Sequence, residues 1–316
     1  MRTRLLLLIV TAIGMVRTGV AQEAYAVFND STLTFYYDSQ KENREGKVFE
    51  SFDPDYENSS MAKGAGPFCT INTEINTVVF DDSFVDYRPP HTVRWFECCY
   101  NLRTISGISN LNTEEVTEMS RMFRCCWNIT TLDLSSFNTE KVTDMSLMFS
   151  NCNSLTNIDL SSFDTKDVID MDDMFADCRN ITTLDLSNFD TENVKYMVRM
   201  FNDCCVLTTI YVGNGWSTYS VEEGGFMFYN CVNLIGGKGS VYSLYRTDYK
   251  FAHIDEGEEN PGYFTYREKT GVNNVFGTNE AKESTDIYTI DGRKVSVQRN
   301  KLSHGIYIIG GKKVIM

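Results

Sequence analysis

The phenylalanines at Phe96, Phe123, Phe149, Phe175, Phe201 and Phe228 recur every 26 or 27 residues. Around each one the same phrase returns. "MFSNCNSLTNIDLSSFDTKDVIDMDDMF" (Met148 to Phe175) is followed, with its last two residues shared, by "MFADCRNITTLDLSNFDTENVKYMVRMF" (Met174 to Phe201). A fixed period of this size is the signature of stacked supersecondary units, none of which can bury its apolar stripe alone. It rules out an ordinary globular reading before any other feature is weighed.

Each unit has two halves. The first, "LTNIDLSSF" (Leu155 to Phe163), places Leu155, Ile158, Leu160 and Phe163 in the L-x-x-L-x-L-x-x-F pattern of a leucine-rich-repeat strand. The second, "DTKDVIDMDDMF", spaces Val168, Met171, Met174 and Phe175 as one face of a short helix, with Thr165 as its N-cap. The expected fold class is an α/β repeat solenoid: a right-handed leucine-rich-repeat superhelix of parallel strands and short helices, with β-rich caps. Strands centre on Val78, Ile105, Leu132, Ile158, Leu184 and Ile210. Helices fall over Val116–Met122, Val142–Met148, Val168–Met174 and Val194–Met200.

Stacking turns every apolar position into a column. Ile105, Leu132, Ile158, Leu184 and Ile210 form one; Gly107, Leu134, Leu160, Leu186 and Val212 form another, with a glycine at its start. Nine of the 13 methionines lie in such columns, which makes methionine core filler rather than a metal or cofactor box. Six of the ten cysteines (Cys99, Cys126, Cys152, Cys178, Cys204, Cys231) lie three residues after each repeat phenylalanine, in one column of small buried side chains. Neighbours in that column stand about one strand spacing, roughly 5 Å, apart, within disulfide reach, but buried free thiols are the favoured reading. Cys98 and Cys125 sit one place earlier, where later units carry Asn151, Asp177, Asp203 and Asn230. They are either a disulfide between adjacent units or two independent thiols. Cys69 and Cys205 have no evident partner.

The ends depart from the period. Residues 1–21 read as a signal peptide: Arg2 and Arg4, then "LLLLIVTAIGMV", then Gly19 and Ala21 as the small residues before a cleavage at Gln22. This predicts a secreted or cell-surface protein. Residues 22–74 form an N-terminal β cap with a hairpin around Asn29-Asp30, 75–235 the repeats, 236–268 a C-terminal cap, and 269–285 a polar linker. In the tail, 286–316, Asp291-Gly292 and Gly310-Gly311 each separate two apolar runs as hairpin turns do. No later stretch is apolar enough to span a membrane.

The net charge is −14, which disfavours nucleic acid and anionic membranes as partners, since both are held mainly by basic residues. The three histidines, His91, His253 and His304, lie in separate segments with no nucleophile or base beside them. "GGKGS" (Gly236 to Ser240) lacks P-loop spacing. No enzyme, cofactor or metal site is expected. The polar feature that stands out is a row on the strands: Ser106, Asp133, Asp159, Asp185 and Tyr211, each placed to point away from the core. It reads as a binding surface for a cation or a basic partner, or as a solvated acidic ladder that keeps the sheet soluble.

At the level of the whole motif, "MFSNCNSLTNIDLSSFDTKDVIDM" resembles the repeat of BspA-like leucine-rich-repeat surface proteins of the DUF285 type. "STLTFYYDSQKENREGKVFE", "INTVVFDDSF" and "GGKGSVYSLYRTDYKFAHIDEGEENPGYFT" are similar to its flanks, so the resemblance covers about residues 24 to 268. It implies a secreted or cell-surface module that binds or adheres to an extracellular protein or glycan; some members are adhesins for host matrix proteins such as fibronectin. The alternative is a structural surface protein without a discrete ligand. The tail "IYTIDGRKVSVQRNKLSHGIYIIGGKKVIM" resembles the sorting domain of type IX secretion cargo, which implies the secretion machinery as a partner.

Overall fold

The computed structural model describes residues 21–52 and 66–268, and in the tail the strand backbones of 287–289, 294–295, 306–309 and 312–315. The signal-peptide and linker expectations lie outside these residues. Two compact units are present, one running to Tyr266 and one from Arg267 onward.

The first unit begins with an antiparallel hairpin, β1 (Glu23–Asn29) and β2 (Thr32–Asp38). Its two-residue turn is Asp30-Ser31, one position later than the sequence suggests. Both residues have positive φ, 45° and 64°, which is the hairpin geometry whose twist matches that of the strands. β3 (Lys47–Phe49) pairs antiparallel with β1. β2 pairs parallel with β4 (Thr77–Phe80), and β4 with β5 (Thr104–Ser106), so the hairpin covers the first edge of a parallel array.

The ladders continue as β6 (Thr131–Asp133) with β7 (Asn157–Asp159), then β8 (Thr183–Leu186), β9 (Thr209–Val212) and β10 (Phe264–Tyr266). All are parallel. Val78 pairs with Ile105, Leu132 with Ile158, and Leu184 with Ile210, the residues on which the sequence centres its strands. β10 replaces one further repeat strand and closes the far edge.

The short helices are absent: the described residues contain no α-helix, only 3-10 turns. Helical spacing is real in Val116, Met119, Met122 and Phe123, and all four are buried. The backbone, however, goes elsewhere. The N–H groups of Met119, Arg121, Phe123 and Cys125 donate to the carbonyls of Asp144, Ser146, Met148 and Ser150 in the next unit, at 2.8–3.0 Å. The intervening N–H groups of Met122, Arg124 and Cys126 close tight turns onto Met119, Arg121 and Phe123. Glu118, Asp144, Asp170, Tyr196 and Glu223 bridge in parallel along the same line. Each unit is therefore stitched to the next along two backbone lines, where an α-helix would spend its donors internally.

Left-handed residues make these turns possible. Cys98, Cys125, Asn151, Asp177, Asp203 and Asn230 all have φ between 57° and 62°. Asn and Asp tolerate this region better than other non-glycine residues, which accounts for the last four. Gly107 opens the second apolar column with φ 65°, and a Cβ there would lie 2.3 Å from the Phe80 carbonyl oxygen.

The core is a set of columns. The repeat phenylalanines from Phe96 to Phe228 stack with centroids 5.5–5.9 Å apart, and Phe137, Phe163 and Phe189 form a second stack. Leu132 and Leu184 are buried, whereas Ile105 and Ile158 in the same column are only partly so. Buried Cys126, Cys152, Cys178, Cys204 and Cys231 each donate S–H to the carbonyl of the phenylalanine one unit back, at 2.9–3.2 Å. That bond uses the thiol as a small donor inside an apolar column. Burial pushes the Cys152 thiol up to about 12, so it stays protonated.

Thr165 is no N-cap. Its hydroxyl donates to the Asp190 carbonyl and accepts from the Asp190 N–H, both at 2.8 Å. Thr113, Thr139 and Thr191 make the same reciprocal pair with Asn138, Asp164 and Ser217. The four are buried, so each hydroxyl is a clamp between neighbouring units.

In the second unit β11 (Ile287–Thr289) pairs antiparallel with β12 (Lys294–Val295) and β13 (Ile306–Ile309), and β13 with β14 (Lys312–Ile315). The strands on either side of Asp291-Gly292, and those on either side of Gly310-Gly311, are paired antiparallel in one four-stranded sheet; the expected turns themselves lie outside the described residues.

Candidate functional site

The outward row lies on the parallel ladder. Asp133 is paired with Asp159, Asp185 with Tyr211, and Ser106 with Val79. Ser106, Asp133, Asp159 and Asp185 are exposed and Tyr211 is half-buried. A second polar row runs beside it: Thr104, Thr131, Asn157, Thr183 and Thr209, also exposed or half-buried. Strand alternation puts both rows on the face opposite Leu132, Leu184 and Ile210. The result is a ribbon of hydroxyls and carboxylates.

The carboxylates also have a local task that the spacing alone did not reveal. Asp133 accepts from the N–H and hydroxyl of Ser135, Asp159 from the N–H of Ser161, and Asp185 from the N–H of Ser187. Each closes an Asx-turn at the end of its strand. The Ser135 hydroxyl and N–H hold the Asp133 carboxyl below the usual carboxylate range. The recurrent Asp-x-Ser (Asp133-Leu134-Ser135 and its equivalents) is the sequence signal for this turn. In each carboxylate Oδ1 is the oxygen that faces its own backbone.

Among the described residues, no group of three His, Cys, Asp or Glu stands close enough to hold a metal ion. "GGKGS" is occupied internally. The N–H groups of Lys238 and Ser240 and the Ser240 hydroxyl all donate to the buried Asp255 carboxylate, joined by those of Gly257 and Gly262. A loop whose amides already cradle a carboxylate is not open to a phosphate.

A cleft of about 290 Å³ near the C-terminal cap is lined by Trp216, Ser217, Thr218, His253 and Glu256 among others. Its histidine, His253, has Nδ1 2.9 Å from the Ile254 carbonyl oxygen. His304 lies outside the described residues. No helix among the described residues is long and apolar enough to cross a membrane.

Cys98 and Cys125 are brought together. The Cys98 N–H donates to the Arg124 carbonyl at 2.8 Å, and each thiol perturbs the other's proton affinity. Cys69 and Cys205 are half-buried and free, as are Cys98 and Cys125.

No curated protein and no solved structure matches the chain. A family model does, over residues 93–183 and again over 117–237, and its description is "Mycoplasma protein of unknown function, DUF285". These spans hold the stacked phenylalanines, the cysteine column and the threonine clamps, so it is the repeat segment that is similar to this family.

Proposed function

We propose that the chain is a secreted or cell-surface binding module, built as one continuous leucine-rich-repeat solenoid, whose strand face engages an extracellular protein or glycan. The observation that carries this reading is the exposed ribbon of Ser106, Asp133, Asp159, Asp185 and Tyr211 beside the row from Thr104 to Thr209. A regular array of hydroxyls, carboxylates and one aromatic ring, spaced by the roughly 5 Å of a parallel ladder, suits an extended partner that supplies basic or hydroxyl groups at intervals. The N-terminal signal-like segment and the tail fit export, with the tail as the element offered to the secretion machinery.

The test is binding of the purified chain to immobilised matrix proteins, mucin and a glycan array at two salt concentrations. The expected result is a ligand whose binding weakens at high salt and falls at least tenfold when Asp133, Asp159 and Asp185 are together changed to Asn. Asparagine keeps the Asx-turns, so the substitution removes charge without removing the turn. Binding indifferent to all three changes would move the site off this face. No binding to any ligand would favour the structural surface protein.

A further inference from the structure

We infer that Cys98 and Cys125 form a reversible disulfide between the first two repeat units, a redox-dependent staple set apart from the cysteine column. Both occupy the left-handed position of their turns, φ 59° and 61°, so they project alike from adjacent units. The backbone bond from Cys98 to Arg124 holds the units at ladder spacing, roughly 5 Å between equivalent α-carbons, which lies inside disulfide range. Both side chains are half-buried, whereas the column thiols behind them are buried and committed to carbonyls.

The backbone does not ask for cysteine here. The four later units fill this position with Asn151, Asp177, Asp203 and Asn230, the residue types that left-handed turns favour. Cysteine replaces them in two units only, and those two are neighbours.

The surroundings favour reaction over inert burial. Cys125, the Tyr100 hydroxyl and the Arg124 guanidinium are the groups that favour the Cys98 thiolate. Arg124 is anchored by Nη1 to Glu97 at 2.8 Å, while its buried Nε has no hydrogen-bond partner. The Tyr100 ring is fixed against Trp127, centroids 4.2 Å apart. Chiefly through the Cys125 hydrogen bond, the Cys98 thiol is brought down to about 6, and Cys125 is driven up by the same bond. One thiol of the pair is thereby the nucleophile and the other the resolving thiol.

The oxidant is a disulfide, small or carried by a protein. The thiolate of one of the two cysteines attacks one of its sulfurs; a mixed disulfide forms and one thiolate leaves. The other cysteine then loses its proton to solvent and attacks the protein sulfur of the mixed disulfide, expelling the second thiolate. Two protein thiols become one disulfide and the oxidant becomes two thiols. The bridge closes a long loop and so should raise the melting temperature by several degrees. The inference does not rest on the strand-face reading.

The experiment uses the full chain, purified reduced, exposed to oxidised glutathione at neutral pH, then denatured, alkylated and mapped by mass spectrometry. The expected result is one Cys98–Cys125 cross-linked peptide, with the column cysteines all alkylated, and a higher melting temperature that reductant reverses. In the reduced protein, one cysteine of this pair should alkylate faster at neutral pH than any column cysteine. Cys98→Asn and Cys125→Asn, which install a residue later units already carry, should melt like the reduced parent yet lose the cross-link and the oxidant response. Full alkylation of both cysteines after oxidation, or a bridge through Cys69, Cys205 or a column cysteine, would overturn the inference.

Discussion

Thr139 shows how one side chain holds two units together. Its hydroxyl is buried and uses both of its roles on one residue of the next unit, donating to the Asp164 carbonyl and accepting from the Asp164 N–H, each at 2.8 Å. Thr139→Val keeps the shape and removes both bonds, leaving a buried N–H without its acceptor. We expect a loss of about 1–3 kcal/mol in a urea melt. Thr139→Ser keeps the hydroxyl and should lose clearly less; equal losses would mean that the methyl group, not the clamp, carries the stability. The sequence around this residue, Asn138-Thr139-Glu140, shows why the role was not legible. Threonine after Asn or Asp and before Glu or Lys also looks like the start of a helix. The reciprocal bond belongs to a partner 25 residues away, which no local pattern names.

At the scale of the element, the two halves of the repeat differ in how much their sequence discloses. In Asn157–Asp159 and Thr183–Leu186 the alternation is local, and the parallel register follows because a one-residue slip would turn Leu184 to solvent and Asp185 inward. In Val168 to Phe175 the apolar residues face the core with the spacing a helix would give, yet the N–H groups of Met171, Asp173 and Phe175 donate to the next unit. What interrupts the expected helices is a positive-φ column at Arg121, Leu147, Asp173 and Arg199; of these only Asp173 is a residue type suited to that conformation, so no local signal marks it. The strand face offers a direct contrast between its sides. Leu160 is buried, with 3% of its surface exposed, and Asp159 beside it is exposed. Leu160→Ala should cost about 2–5 kcal/mol. Asp159→Asn should change stability by no more than about 0.5 kcal/mol, because the amide oxygen still accepts from Ser161 and repulsion with Asp133 is relieved. Similar costs for both in the same denaturant series would reverse the assignment of the two faces.

For the whole molecule, a stack in which each unit touches only its neighbours depends on its ends, because the last apolar column must meet something other than water. Here β10 supplies that cover. Phe264 is buried against Phe201, Trp216 and Phe228, and the segment leading to it is organised by Asp255. Burial alone would push the Asp255 carboxyl up, but the Ser240 hydroxyl and the N–H groups of Ser240, Gly257 and Lys238 hold it well below the usual carboxylate range. Its folded state therefore binds a proton less readily than the unfolded chain. The stability it contributes is full above the unfolded value of about 4 and is lost as pH falls below it. The end of the stack should consequently loosen in acid before the repeats do. Trp216 reports on this region, since its Nε1 donates to the Ala252 carbonyl and its ring lies 4.9 Å from that of Phe264. In a Trp95→Phe, Trp127→Phe background, Trp216 emission should shift at higher pH than the far-ultraviolet signal of the strands. Asp255→Asn should bring that shift up to neutral pH, because an amide offers one acceptor oxygen and sets its NH₂ against the surrounding N–H donors. Coincident acid transitions for Trp216 and the strands, unchanged by Asp255→Asn, would mean that the cap is no weaker than the repeats and that this carboxylate does not hold it.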